Sequence, residues 1–85
     1  MSAAVRFQVD ADASPGLLPR LLQPFARRDL VPDDFQAVHA AGSIRVGIGM
    51  NAMPSGMVHL VEGNLRQVIG VRQVTRTGGE SGCSL

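Results

Sequence analysis

Residues 44–51 read IRVGIGMN, with Ile44, Val46, Ile48 and Met50 on one side of an unbroken alternation and Arg45, Gly47, Gly49 and Asn51 on the other. Successive strand residues point to opposite faces, so the pattern predicts a β-strand with one apolar face and one polar face poor in side-chain bulk. Immediately upstream, FQAVHA (35–40) is short and alternating, and the AGS that follows (41–43) suits a hairpin turn. These two strands are expected to pair antiparallel.

Working outward, Val5, Phe7 and Val9 alternate with Arg6 and Gln8, which predicts a first strand over 5–9. After DADASPG, Leu17, Leu18, Leu21, Leu22 and Phe25 share one helical face while Arg20, Gln23 and Arg27 point elsewhere. Ser14 is expected as the N-cap, Pro15 as the first helical residue, and Arg27 and Arg28 as cations at the C-terminal end of the dipole. Pro19 and Pro24 lie inside this helix, and a kink is expected near Pro24. DLVPDD (29–34) is a turn-rich connection. AMPSG (52–56) breaks the strand, and Met57, Leu60, Val61, Leu65 and Val68 then recur at helical spacing, with His59, Glu62, Asn64 and Arg66 off the stripe and Gly63 weakening it. GVRQVTR (70–76) supplies a last strand. The order is strand, helix, strand, strand, helix, strand. One antiparallel sheet with two helices on one face buries every apolar side most simply, so the fold expected is an α+β, ferredoxin-like βαββαβ two-layer sandwich.

The 85-residue chain is 45% apolar and only 18% charged, a globular composition of one-domain size. At this size the margin of stability is small, which makes pairing with another chain a reasonable expectation. Eight arginines against seven acidic residues leave a net charge of +1, so no whole-chain field favours a polyanion. The N-terminus MSAAVRFQVD has no signal-peptide pattern, and a soluble cytoplasmic protein with no membrane partner is expected. The domain is taken as 1–76 and the Gly/Ser-rich 77–85 as a flexible tail. Its single Cys83 reads there as an incidental thiol.

Candidate chemistry is sparse. Asp10 and Asp12 form a pair that suits a cation or acid–base work, and equally suits loop solvation and charge complementarity with the helix N-terminus. Asp33 and Asp34 read as turn residues. His39 and His59 have no Cys or close His beside them, so no metal ligand set is expected. Ser14 has no nearby His and its capping role accounts for it, leaving no catalytic residue. The polar sheet face carrying Arg6, Gln8, Arg45, Gly47 and Gly49 suits either water or a partner surface. RNA-recognition modules of this topology stack bases on aromatics of their central strands, and IRVGIGMN has none; no nucleic-acid partner is expected. The first loop DADASPG also lacks the Cys-x-x-Cys of copper chaperones and the anion loop of acylphosphatases.

The stretch SPGLLPRLLQPFARRDL (14–30) resembles the opening helix of ACT domains, and is especially similar to the small regulatory subunit of acetolactate synthase. The matching positions are Pro15, Gly16, Leu17, Leu18, Arg20, Phe25, Ala26, Arg27 and Arg28. Ala13 stands where ligand-binding members have Asn or Asp, with Asp12 one place earlier, and Asp29 stands where the family usually has glycine. The resemblance implies a non-catalytic, cofactor-free regulatory domain. It would bind a small amino-acid effector, a catalytic subunit of a biosynthetic enzyme, or both, in branched-chain amino-acid biosynthesis. It also implies a homodimer whose effectors sit between chains, with Ser14, Gly16 and Leu17 of one facing Gln36 of the other. The ligand-binding residues implied are Asp12, Ala13, Ser14, Pro15, Gly16, Leu17 and Gln36. The loop's chemistry agrees, because Gly16 lets a group approach the backbone and free N–H groups of a helix's first turn can hold a carboxylate. Gly16 also suits close helix-to-strand packing. The alternative role is a dimerisation or interaction scaffold without a ligand site.

Overall fold

The computed structural model describes residues 2–78. In chain order these form β1 (Ser2–Asp12), α1 (Leu17–Arg27), β2 (Asp34–Ala40), β3 (Ser43–Pro54), a 3-10 turn (Ser55–Met57), α2 (Val58–Arg66) and β4 (Val71–Gly78). The four strands make one antiparallel sheet in the order β2-β3-β1-β4, with both helices against one face: the ferredoxin-like βαββαβ sandwich. The core lies between these layers. Phe7, Val9, Val46, Ile48, Met53, Leu21, Val61 and Leu65 are fully buried, and no polar or charged residue is buried among the described residues. No helix among them is long and apolar enough to cross a membrane.

Several expectations are corrected. The first strand extends through Asp12 because β1 is central, hydrogen-bonded to β3 on one edge and β4 on the other, and that pairing carries the DAD sequence with it. Asp10 and Asp12 are therefore strand residues, held by Arg45 and Arg72 respectively, and not loop residues. Helix α1 begins at Leu17 with Gly16 as N-cap, and Ser14 makes no side-chain cap bond. Instead the Ser14 carbonyl accepts the Leu17 N–H, while Ala13 donates to the Gly42 carbonyl, so the loop is pulled to the hairpin before the helix starts. Pro15 is thus outside the helix, and Pro19 falls in its first turn, where a missing N–H leaves nothing unpaired. The helix runs through Pro24 to Arg27 as one element, with Leu21, Pro24 and Phe25 all buried. In α2 the buried residues are Val58, Val61 and Leu65, while Leu60 is 55% exposed. The 3-10 turn sets this rotation, leaving Met57 and Val68 partly buried at the flanks. Asp34 opens β2 and pairs with Arg6, and the Asp33 carboxylate accepts the Asn51 N–H at 2.6 Å. Neither is a plain turn residue. Thr77 and Gly78 pair with Arg6 and Val5 in β4, two residues beyond the expected end of the domain, and the remainder of the expected tail, with Cys83, lies outside the described residues.

The end of α1 explains one departure from the family pattern. Leu30 N–H bonds the Phe25 carbonyl at 2.8 Å and Asp29 N–H bonds the Ala26 carbonyl at 3.2 Å, the paired bonds of a Schellman motif. Such a motif needs a left-handed residue, and Asp29 has φ 56°. Glycine fits that position best, whereas Gly63 sits inside α2, where an added Cβ would meet nothing within 4 Å. Asp29→Gly and Gly63→Ala are each expected to raise unfolding free energy, by about 0.5–1 kcal/mol for the latter, in urea titrations followed by circular dichroism.

Helix α2 is tied to β4 through Glu62. Burial alone would push its carboxyl up, but hydrogen bonds from Arg76 and Arg66, reinforced by their charges, hold it below its ordinary 4.5. A carboxyl with a depressed folded-state pKa stabilises the fold above its unfolded-state value, and that contribution fades as pH falls through the folded value. Wild type should therefore be more stable than Glu62→Gln near neutrality, with the gap closing below pH 4.5. Thermal melts of both proteins across the acid range measure it.

Candidate functional site

The loop joining β1 to α1 rests where three turns meet. Asp12 N–H donates to the Gly70 carbonyl at 2.9 Å, ahead of β4, and Ala13 N–H to the Gly42 carbonyl at 3.1 Å, in the β2–β3 turn. That turn is the two-residue loop Ala41-Gly42, with φ of 50° and 83°, the left-handed pair required by the tightest hairpins. It pairs Ala40 with Ser43 and places His39 opposite Ile44. Between loop, first turn and hairpin opens a cavity of about 450 Å³ lined by Ala13, Ser14, Pro15, Leu18, Pro19, His39 and Ile44.

Its chemistry is mostly apolar, with the Ser14 hydroxyl and the His39 imidazole as the polar side chains. At the helix end, Pro15 and Pro19 have no N–H and Leu17 N–H is engaged by Ser14. Gly16 and Leu18 N–H find no acceptor among the described residues, so two donors remain at the positive end of α1.

Of the residues expected to bind a ligand, Ala13, Ser14 and Pro15 line this cavity. Gly16 lies beside it, and an added Cβ there would meet the Arg20 guanidinium at 3.6 Å, so close packing against a strand is not what calls for glycine. Leu17 is 1% exposed and belongs to the core. Asp12 is engaged by Arg72 on the sheet's open face. Gln36 is also on that face, opposite Gly47 and away from the cavity of its own chain. His39 and Ile44 were missed: with the three residues AGS read as the turn, residue 40 falls opposite Ile44, whereas the two-residue turn Ala41-Gly42 puts His39 there. No three His, Cys, Asp or Glu side chains gather as a metal site among the described residues.

Residues 1–80 match the model of a family described as ACT-like domain. The chain belongs to the ACT-like domain family. A search of curated proteins finds no match. Among solved structures, this ACT-like domain superposes on the crystal structure of the ACT domain from GTP pyrophosphokinase of Chlorobium tepidum with a TM-score of 0.77 and 13% identity, covering 91% of this chain and 100% of that one. The solution NMR structure of the same domain gives 0.70 and 14%, covering 87% and 84%. At such identity the likeness is one of fold. It fits a regulatory, ligand-binding class of module, since ACT domains as a group serve that role.

The loop geometry has a direct readout. In amide hydrogen exchange followed by NMR, Asp12 and Ala13 N–H should be protected by their carbonyl partners, while Gly16 and Leu18 N–H should exchange at near-intrinsic rates.

Proposed function

We propose that this ACT-like domain is a non-catalytic regulatory module that binds a small amino acid at the β1–α1 loop and acts on a partner enzyme. On the resemblance read in residues 14–30, the setting we propose is branched-chain amino-acid biosynthesis in the cytoplasm. The observation that carries the reading is the loop cavity. Its 450 Å³ is in the range of small-molecule sites, and Leu18, Pro19 and Ile44 suit an aliphatic side chain. The Gly16 and Leu18 N–H groups suit the acid end. Assembly as a homodimer belongs to the proposal: β2 is a sheet edge, and Ala37, Val38 and His39 are exposed on it, uncovered by either helix.

The scaffold reading is favoured by one specific fact. Ala13 offers no side-chain acceptor, and Asp12 is already held by Arg72, so an effector's ammonium has no carboxylate waiting for it. A thermal-shift series with the twenty amino acids separates the two. A ligand that binds only the folded state raises the melting temperature by mass action, and branched-chain amino acids should do so most. Ala13→Leu, which fills the cavity, should abolish the shift and keep the fold, with light scattering at twice the 9.0 kDa chain mass in both proteins. No shift with any amino acid at millimolar concentration leaves the scaffold reading.

A further inference from the structure

The carboxylates of this chain are unevenly shared among its arginines. Arg6, Arg45 and Arg72 hold Asp34, Asp10 and Asp12, while Arg66 and Arg76 share Glu62. The three arginines without a carboxylate among the described residues, Arg20, Arg27 and Arg28, all belong to α1 or its C-cap. Arg28 donates to the Pro24 carbonyl at 3.3 Å. Arg20 and Arg27 both line a groove of about 360 Å³ between α1 and α2, joined by Gln23 on one wall and Asn64 and Gln67 on the other. The Oδ1 atom of Asn64 is buried without a hydrogen-bond partner, and Ile69, at the groove's end, is 79% exposed.

A solvated arginine on a helix is ordinary. Here the surroundings narrow the occupant. The groove runs along α1 from Arg20 to Arg27 and past the C-terminal end of α2, where the Gln67 and Val68 N–H groups bond back to the Asn64 and Leu65 carbonyls, so no helix N-terminus of the kind from which phosphate cradles are built lines it. Arg20 and Arg27 are seven residues apart, two turns or roughly 10 Å along the axis. They are set to meet two anionic groups at that spacing, and carboxylates seven residues apart on a facing helix have it. The trough is polar along most of its length and apolar at Val68 and Ile69, so an occupant helix would be held chiefly by its charges, with one apolar seat at that end.

We infer that the α1–α2 groove docks an acidic amphipathic helix of a partner protein, its carboxylates on Arg20 and Arg27 and its apolar stripe over Val68 and Ile69. The groove shares no lining residue with the loop cavity, but the Arg20 guanidinium also borders Gly16, so Arg27 is the residue whose substitution tests the groove apart from the loop reading.

The test uses a fluorescein-labelled synthetic helical peptide with a leucine stripe and glutamates seven residues apart, and a twin with lysines in their place. Both are titrated by fluorescence anisotropy against the full chain. The acidic peptide should bind, with affinity falling as salt rises, and the lysine twin should not. Arg20→Glu and Arg27→Glu should each weaken binding roughly tenfold or more. Thr75→Glu, an exposed site on the opposite face of the sheet, should leave it unchanged. Circular dichroism melts check that each variant folds, with Arg20→Gln and Arg27→Gln as gentler replacements. No binding at millimolar concentration, or equal binding by the arginine variants, overturns the proposal. So does tighter, Arg20- and Arg27-dependent binding of tripolyphosphate or single-stranded RNA, which would reassign the groove to a phosphate-bearing ligand.

Discussion

The two layers meet at one aromatic contact. Phe7 of β1 and Phe25 of α1 stand edge to face, centroids 6.0 Å apart and planes at 71°, each almost wholly buried. Such a pair adds about 0.5–1.5 kcal/mol to what burial of the rings already contributes. Its position gives it wider reach than its energy. Phe7 lies opposite Ile48 on one side and Arg76 on the other, so the strand that seats the ring also sets the register of β3 and β4. Phe25 stands at the C-terminal end of α1, where its carbonyl accepts the Leu30 N–H that turns the chain towards β2. The sheet's order, the placement of α1 and the return to the edge strand all refer to this contact.

On the sheet's other face the organising constraint is lack of bulk. Arg6 reaches from β1 over β3 to Asp34 on β2, at 2.6 Å, and it can do so because Gly47 and Gly49 lie beneath it. A Cβ at Gly49 would come within 2.6 Å of the Arg6 Nη1 atom and 3.3 Å of the Asp34 Cβ. Arg45 meets Asp10 directly across the β1–β3 ladder, and Arg72 meets Asp12. Exposed pairs of this kind contribute little free energy each. Their effect is on pairing: a one-residue slip would send these charges to the apolar face, which penalises every wrong register. These pairs, with Arg66 and Arg76 on Glu62, engage every described carboxylate of the sheet and of α2, leaving α1 as the helix whose arginines have no carboxylate among the described residues.

The strands were legible in the sequence because period-two alternation is a direct image of the pleat, and β3 carried it most clearly through Ile44, Val46, Ile48 and Met50. What escaped was set by context. Nothing local told that Asp10, Ala11 and Asp12 would continue β1, because the two neighbouring strands hold them there. Ser14 had the chemistry of a cap, but the bond from Ala13 to Gly42 committed the loop before the helix began. Leu60 matched the spacing of the α2 stripe, yet the 3-10 turn rotated Val58 into the core in its place. Of the residues lining the loop cavity, Ala13, Ser14 and Pro15 are among those the family likeness named, whereas His39 and Ile44 come from across the hairpin, where only strand register could place them.

The loop cavity has two walls that differ in how much of the fold packs on them. Its helical wall belongs to α1, pinned to the sheet by Leu17, Leu21 and Phe25. Its other wall is the tip of the β2–β3 hairpin, where Ala40, Ala41 and Gly42 are exposed and β2 has no neighbour on its outer edge. A ligand shifts a conformational equilibrium only through contacts that differ between the states, so an occupant touching both walls acts chiefly on the less restrained one. The bond from Ala13 to Gly42 joins the walls at one point and makes that hairpin tip respond to the loop. An occupant of the cavity, as proposed, would therefore act first on the sheet edge, while α1 stays held to the sheet by its buried face. In the proposed homodimer, a change at the loop would reach the second chain along β2 more readily than the groove between the helices.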